Sequence, residues 1–306
     1  MTGEGGRDGS AFAAGPKDGL RLADLVRDMR GEATLLGDGE VRVFGVHHDS
    51  RRVEPGDLFV ARRGRSSNGV EHVPLALERG AVAVLASESD VGGLSTAVPR
   101  LSALDVPKAM AYAASAIYGH PSFTLAVVGI TGTNGKTTTS HLVRTAVDAA
   151  SFATTTGVIG TVGHMFADLK LTAAHTTPES DEIARVMAMM VKRGATTVAM
   201  EVSSIAIAER RVDAVHFRVA AFTNFTQDHL DYHGTMEAYG AAKTRLFTEL
   251  APGQSVVCVD EPFGRNLASS LSERNAAGVI TVSTREGARA DFAPIDASFS
   301  ATGIVA

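Results

Sequence analysis

Apolar residues come in short runs whose period changes along the chain. From Leu20 to about His120 they predict a short helix over Leu22–Met29 and strands around Val41–Val46 and Asp57–Ala61. A helix over Pro74–Arg79, the strand Ala81–Ala86 and an Ala-rich helix over Lys108–Tyr118 follow. Gly119-His120-Pro121-Ser122 interrupts both periods and reads as a linker. Beyond it the alternation is regular: strand Phe123–Ile130, helix Thr137–Ala150, strand Thr155–Gly160, helix Ser180–Lys192, strands Thr197–Val202 and Phe217–Thr223, and helix Met236–Leu250. Near-continuous apolar strands separated by helices predict a mostly parallel sheet covered on both faces, with ligands at the carboxyl ends of its strands. Ser255–Val259, Gly278–Ser283 and Ala290–Val305 read as shorter peripheral strands. The expected class is α/β, with a mobile tail over 1–19, a small α/β domain over 20–121 and a parallel-sheet domain over 122–306.

Composition narrows the partners. A net charge of -5, with 44% hydrophobic and 21% charged residues, suits a globular chain and gives no electrostatic ground for binding nucleic acid. Arg62, Arg63 and Arg65 are the nearest approach to a basic run, either a solvated loop or a clamp for an anion. One cysteine, Cys258, excludes an intrachain disulfide and fits a reducing compartment or a small strand hydrophobe. Residues 1–19 lack the apolar core of a signal peptide, and no run of 18 apolar residues predicts a membrane span. A cytoplasmic monomer is expected.

Chemistry concentrates where strands end. Gly132-Thr133-Asn134-Gly135-Lys136-Thr137-Thr138 follows directly on the apolar strand that ends at Ile130. Such a loop wraps backbone N–H groups around phosphate oxygens, with Lys136 near the β/γ-phosphates and the Thr137 hydroxyl available to Mg²⁺. A strict loop of this type would carry glycine at 130, where Ile130 stands, so the glycines at 129, 132 and 135 mark a variant. Glu201, at the end of a neighbouring strand, is either a Mg²⁺ ligand or a solvated strand-end acid. The next strand end opens a dense polar and aromatic cluster, Thr223-Asn224-Phe225-Thr226-Gln227-Asp228-His229-Leu230-Asp231-Tyr232-His233, in which any one histidine could be structural. Lys243 interrupts the apolar stripe Met236, Tyr239, Leu246, Phe247, Leu250. Either its head snorkels to water, or burial lowers its pKa and leaves an amine able to take up CO₂ as a metal-binding carbamate. His175-Thr176-Thr177-Pro178-Glu179-Ser180 offers hydroxyls before a helix, for an anion or for capping by Ser180.

Taken together, these segments resemble the Mur ligases of peptidoglycan synthesis, most closely the MurE branch, which adds the third amino acid to UDP-N-acetylmuramoyl-L-alanyl-D-glutamate. The resemblance runs from about Leu20 to the end. It is carried by Asp49-Ser50-Arg51, Gly56-Asp57-Leu58-Phe59-Val60-Ala61, Gly132–Thr138, Thr176-Thr177-Pro178, Glu201-Val202-Ser203-Ser204, Asp228-His229-Leu230-Asp231-Tyr232-His233-Gly234 and Ala241-Ala242-Lys243. It implies that His48, Ser50, Arg65, Ser66 and Ser67 hold the UDP end, and that Thr176, Thr177, Ser203, Glu209 and Arg211 hold the muramoyl-dipeptide. By the same likeness Gly132–Thr138 binds ATP, Thr137, Glu201 and His229 serve Mg²⁺, and Lys243 is the carbamylated lysine. Lys136, Glu201, His229 and Lys243 are then the catalytic set.

The implied reaction is ATP-dependent amide formation through an acyl phosphate, with diaminopimelate or lysine as the incoming amine. Two positions depart from the family's habit: Ile205 stands where histidine is common, and Glu209 where glutamine is. The Asp-Asn-Pro-Arg motif of the family's C-terminal, Rossmann-like domain has no counterpart, so that domain is expected to be absent and the central one incomplete. The alternative expectation is a truncated, non-catalytic module that binds UDP-muramoyl-dipeptide and ATP.

Overall fold

A computed structural model of the protein describes residues 15–64, 68–251, 253–275, 278–295, 298–300 and 303–305. The tail expected over 1–19 lies largely outside the described residues, as do Arg65, Ser66 and Ser67. The chain divides into two compact units: Met1–Thr124 with Glu179–Gly194 and Arg210–Val215, and Leu125–Pro178 with Ala195–Glu209 and His216–Ala306.

In the first unit, β1 (Thr34–Leu36), β2 (Gly45–His47), β3 (Asp57–Ala61), β4 (Ala83–Ser87) and β5 (Arg100–Ala103) form one sheet in the order β1-β5-β4-β3-β2. Only β1 runs antiparallel to its neighbour. Every residue of β3 is buried, as a strand covered on both faces requires. On one face Phe59, Ala61, Val84 and Ala86 meet Val73 and Ala76 of the helix Val73–Glu78. The pleat turns Leu58, Val60 and Leu85 to the other face. The Ala-rich helix begins two residues before its expected start, at Val106, because Asp105 accepts the Lys108 N–H and Pro107 suits the first turn. It packs against the helix Ser180–Lys192. The expected Val41–Val46 strand is split. Arg42–Val43 pairs with Leu20–Arg21, Gly45–His47 joins the sheet, and between them Phe44 N–H donates to Gly56 O at 3.0 Å. The expected linker instead contains a helical turn, Pro121–Thr124.

The second unit is an eight-stranded sheet. Its strands are β6 (Ala126–Thr131), β7 (Thr156–Gly160), β8 (Gly163–Phe166), β9 (Leu169–Leu171), β10 (Thr197–Glu201), β11 (Phe217–Phe222), β12 (Gln254–Cys258) and β13 (Val279–Val282). Their order is β9-β8-β7-β10-β6-β11-β12-β13, parallel except for the β8 and β9 hairpin at one edge. β6 therefore lies between β10 and β11, with Ile130 level with Glu201 and Thr131 level with Phe222. That register brings three strand ends together.

Two expectations for the last third of the chain need correction. The segments read as peripheral strands, β12 and β13, do lie at one edge of the main sheet, in parallel, but the helix Pro262–Asn275 between them is missing from the expected elements. Its buried stripe is Gly264, Leu267, Ala268 and Leu271, helical in spacing but half made of small residues. The Met236–Leu250 helix is regular only to Arg245, then widens into a π-helical turn over Leu246–Leu250 that keeps Leu246 and Phe247 both buried.

Gly129 sits mid-strand in β6, where a Cβ would stand 2.6 Å from two ring carbons of the buried Phe217. Gly129→Ala is expected to cost about 1–3 kcal/mol of stability through overpacking, measured by urea unfolding. A change below about 0.5 kcal/mol would show that the β6 and β11 interface is looser than described.

Candidate functional site

Strand β6 empties into the loop Gly132–Gly135, and the helix Lys136–Ser151 starts immediately after it. Gly132 has φ +151° and Gly135 has φ +84°, both in the region where glycine costs least. A side chain at 132 would also collide with Thr223 Oγ1. The first N–H groups of that helix have no intrahelical acceptor, so they and the helix dipole make a phosphate-sized receptor. Lys136 Nζ arches back over the loop, donating to Gly132 O at 3.0 Å and Thr133 O at 2.8 Å. Burial draws its pKa down, with Glu201 and Asp228 opposing.

Glu201 is buried at the end of β10, which excludes the solvated reading. Its carboxylate accepts the Thr137 hydroxyl at 2.8 Å, the Thr161 N–H at 2.9 Å and the Thr161 hydroxyl at 3.2 Å. Thr137 and Glu201, 64 residues apart, thus form one oxygen-rich corner beside the phosphate loop. A small, hard cation held by one or two protein oxygens plus phosphate suits that donor set. Among the described residues, no group of three or more His, Cys, Asp or Glu side chains could hold a metal ion. Any divalent cation here would need oxygens besides the Glu201 carboxylate, such as the Thr137 hydroxyl and phosphate.

Lys243 is 1% exposed, and its Nζ donates to Gly132 O at 2.9 Å while lying 4.4 Å from the Tyr239 ring centroid. The snorkelling alternative is therefore wrong: the head points inward. Burial, then the charge of Lys136, lowers its pKa to about 7, with Asp228 opposing. Two ammonium groups converge on one carbonyl. Tyr239, itself buried, shares a 3.1 Å hydrogen bond with Thr133 and stacks on Phe225, which stacks in turn on Phe263.

His229 lies further out. Its Nε2 is 3.4 Å from Asp228 Oδ2, and its ring meets Tyr239 edge-on at 6.3 Å, with the side chain 40% exposed. His233 Nε2 shares a 2.9 Å hydrogen bond with Ser204 Oγ, a side-chain partner rather than backbone. Thr177, fully buried, donates to Glu201 O at 2.8 Å and accepts the Ser203 N–H at 2.9 Å, while Thr176 accepts the Thr161 hydroxyl at 3.0 Å. Ser203 caps the short helix Ser204–Ala208 and Glu209 ends it. Thr176, Thr177, Ser203 and Glu201 are thereby joined in one network with Thr161, which no motif had singled out. Thr161 becomes visible only once β7 is known to pair with β10.

In the first unit His48 Nδ1 lies 2.9 Å from Asp181 Oδ2, a partner 133 residues away that no spacing reveals. Burial raises the Asp181 pKa, but the His48 bond and the charges of His48 and His47 outweigh it and hold the carboxyl low. Ser50, buried, opens the one-turn helix Ser50–Arg52 capped by Asp49, which Arg51 holds near pKa 2. Arg211 pairs with Glu179 at 3.1 Å, and Arg62 pairs with the same carboxylate at 2.8 Å. Arg63 pairs with Asp90, so the two described members of the arginine run are engaged by acids. Ser180 is not the helix cap: Glu179 holds that position and the Ser180 hydroxyl is buried without a hydrogen bond.

Two family models match the chain: the Mur ligase middle domain over residues 130–305 and the Mur ligase catalytic domain over residues 42–118. A UDP-N-acetylmuramoyl-L-alanyl-D-glutamate--2,6-diaminopimelate ligase of Geobacter metallireducens is 43% identical over 257 residues, covering 82% of this chain and 49% of that protein. The ligase of the same name from Gloeobacter violaceus is 41% identical over 286 residues, covering 93% and 56%. A solved structure under that ligase's name superposes with a TM-score of 0.77 at 26% identity, covering 94% of this chain and 56% of the other. The chain spans about half the length of the curated relatives it matches. By the matched domains and these identities, the chain belongs to the Mur ligase family.

Proposed function

We propose that the chain forms the nucleotide and UDP-substrate portion of an ATP-dependent ligase. It would act on UDP-N-acetylmuramoyl-L-alanyl-D-glutamate in the cytoplasm, as a monomer, with meso-diaminopimelate as the incoming amine. The observation that carries this reading is the convergence of Lys136 and Lys243 on Gly132 O, beside the Thr137 and Glu201 pair. A buried cation and a half-buried one without a full counter-charge call for a polyanion. The names of the relatives supply the substrate.

In the proposed reaction, an oxygen of the D-glutamyl γ-carboxylate attacks the γ-phosphorus of ATP and the bond to ADP breaks. The amine of diaminopimelate then attacks the acyl carbon, phosphate leaves, and the amine proton passes to solvent. Both steps bring anions together or release them, so positive charge fixed beforehand lowers the barrier. Lys136 would lift off the loop carbonyls onto the phosphates. Thr137 and Glu201 would hold Mg²⁺, with His229 at the rim; bound there, Mg²⁺ would neutralise phosphate charge. A carbamate on Lys243 would add an anionic oxygen to the same corner and remove one of the two competing cations. His48 and Ser50, with the 65–67 segment, would take the UDP end, and Thr176, Thr177, Ser203, Glu209 and Arg211 the muramoyl-dipeptide. The domain limits 20–121 and 122–306 belong to this proposal.

The direct test is calorimetric binding of Mg-ADP to the 306-residue chain, followed by phosphate release from ATP with UDP-muramoyl-dipeptide, with and without diaminopimelate. Binding is expected, and Lys136→Met should weaken it about tenfold or more by removing a charge-assisted contact. Binding of both ligands without phosphate release would indicate the non-catalytic module. No nucleotide binding would refute both readings.

A carbamate forms only from the neutral amine, so lowering the Lys243 pKa to about 7 predicts that carbamylation rises steeply between about pH 6 and pH 8. With ¹³C-bicarbonate, NMR should show a protein-bound carbamate carbon that grows over this range and is missing in Lys243→Met. A spectrum identical in the variant would remove the carbamate from the account.

A further inference from the structure

The polar cluster after β11 contains a residue that the proposed chemistry leaves without a role. Asn224 lies beside the phosphate loop, and three successive peptide groups of the loop are oriented around it. Thr133 N–H donates to Asn224 O at 3.0 Å, and Asn134 N–H donates to Asn224 Oδ1 at 2.8 Å. A trans peptide carries its C=O opposite its N–H, so the carbonyls of these two groups must face the other way. They do: Gly132 O accepts Lys136 and Lys243, and Thr133 O accepts Lys136. The third peptide is reversed. Asn134 O faces the β11 side, accepting Asn224 Nδ2 at 3.1 Å and Thr223 Oγ1 at 2.6 Å. Its N–H, that of Gly135, is therefore turned to the opposite edge, and Gly135 absorbs the reversal at φ +84°.

We propose that Asn224 is a positioning residue for nucleotide polyphosphate: its side-chain amide reads one N–H and one C=O of Asn134 and so imposes the peptide reversal that makes Gly135 N–H the first donor of the phosphate cradle. Without it, Asn134 N–H and Gly135 N–H compete to face the anion, and the cradle must be ordered on binding. A primary amide presents an acceptor and a donor side by side without needing a change of protonation. Thr223 secures the same carbonyl from the preceding residue. This inference rests on the nucleotide reading above.

Asn224→Leu preserves bulk and removes both side-chain bonds. Two lost hydrogen bonds at roughly 0.5–1.5 kcal/mol each correspond to about a fivefold or greater rise in the Mg-ADP dissociation constant. Hydrogen exchange should quicken at residues 132–138 and stay unchanged in the sheet, a local signature that general destabilisation does not give. Thr223→Val, which removes one donor to the same carbonyl, should weaken Mg-ADP about threefold and carries the test if the first variant does not fold. Affinity within twofold of the parent chain in whichever variant folds, or exchange unchanged over 132–138, would overturn the inference. A parent chain that fails to bind Mg-ADP would instead refute the nucleotide reading itself.

Discussion

The second unit depends on what happens at the carbonyl of Gly132. Two lysines, one from the first turn of the helix that follows the loop and one from a helix 111 residues beyond Gly132, place their ammonium groups on that single acceptor. Burying an ammonium is expensive, and doing so beside another costs more. The fold offsets the cost in part with the face of Tyr239 and the carboxylates of Glu201 and Asp228, and in part by letting Lys243 approach neutrality. A site held in this state is prepared for an anion, because the charge that would neutralise it is still to come. The parallel sheet makes the arrangement possible by ending β10, β6 and β11 at one level, so that Glu201, the loop and Thr223 meet without long side chains having to search for one another.

Much of this was legible in the sequence because it is local. The strand-to-loop-to-helix passage through Gly132 and Gly135 is written in consecutive residues, and the helix Ser180–Lys192 and strand Asp57–Ala61 appear with the limits their periodicity predicts. Lys243 stood out because a charge interrupted an apolar stripe, although spacing alone left its head free to reach water. What escaped notice was either disguised or distant. The stripe of Pro262–Asn275 is half glycine and alanine, and the hairpin strands β8 and β9 are too short to establish a period. The π-helical turn over Leu246–Leu250 changes pitch without changing composition.

Distance explains the remaining omissions. Asp181 on His48, Thr161 on Glu201 and Asn224 on Asn134 are separated by 133, 40 and 90 residues, and no spacing rule connects such pairs. They share a pattern: the residue that chemistry would single out is held in place by a polar partner from another element. Glu179 does the same for Arg62 and Arg211. Sequence identifies the reactive group, whereas the fold identifies what orients it.

The central claim, that the loop and its two lysines form a polyphosphate site, is tested most directly by a crystal structure of the chain with Mg²⁺ and ADP. The account predicts the β-phosphate in the turn between Gly132 and Lys136, with Lys136 Nζ moved from the Gly132 and Thr133 carbonyls onto phosphate oxygens and the Asn224 contacts to Asn134 retained. ADP bound elsewhere, or Lys136 still on the loop carbonyls with phosphate present, would contradict it.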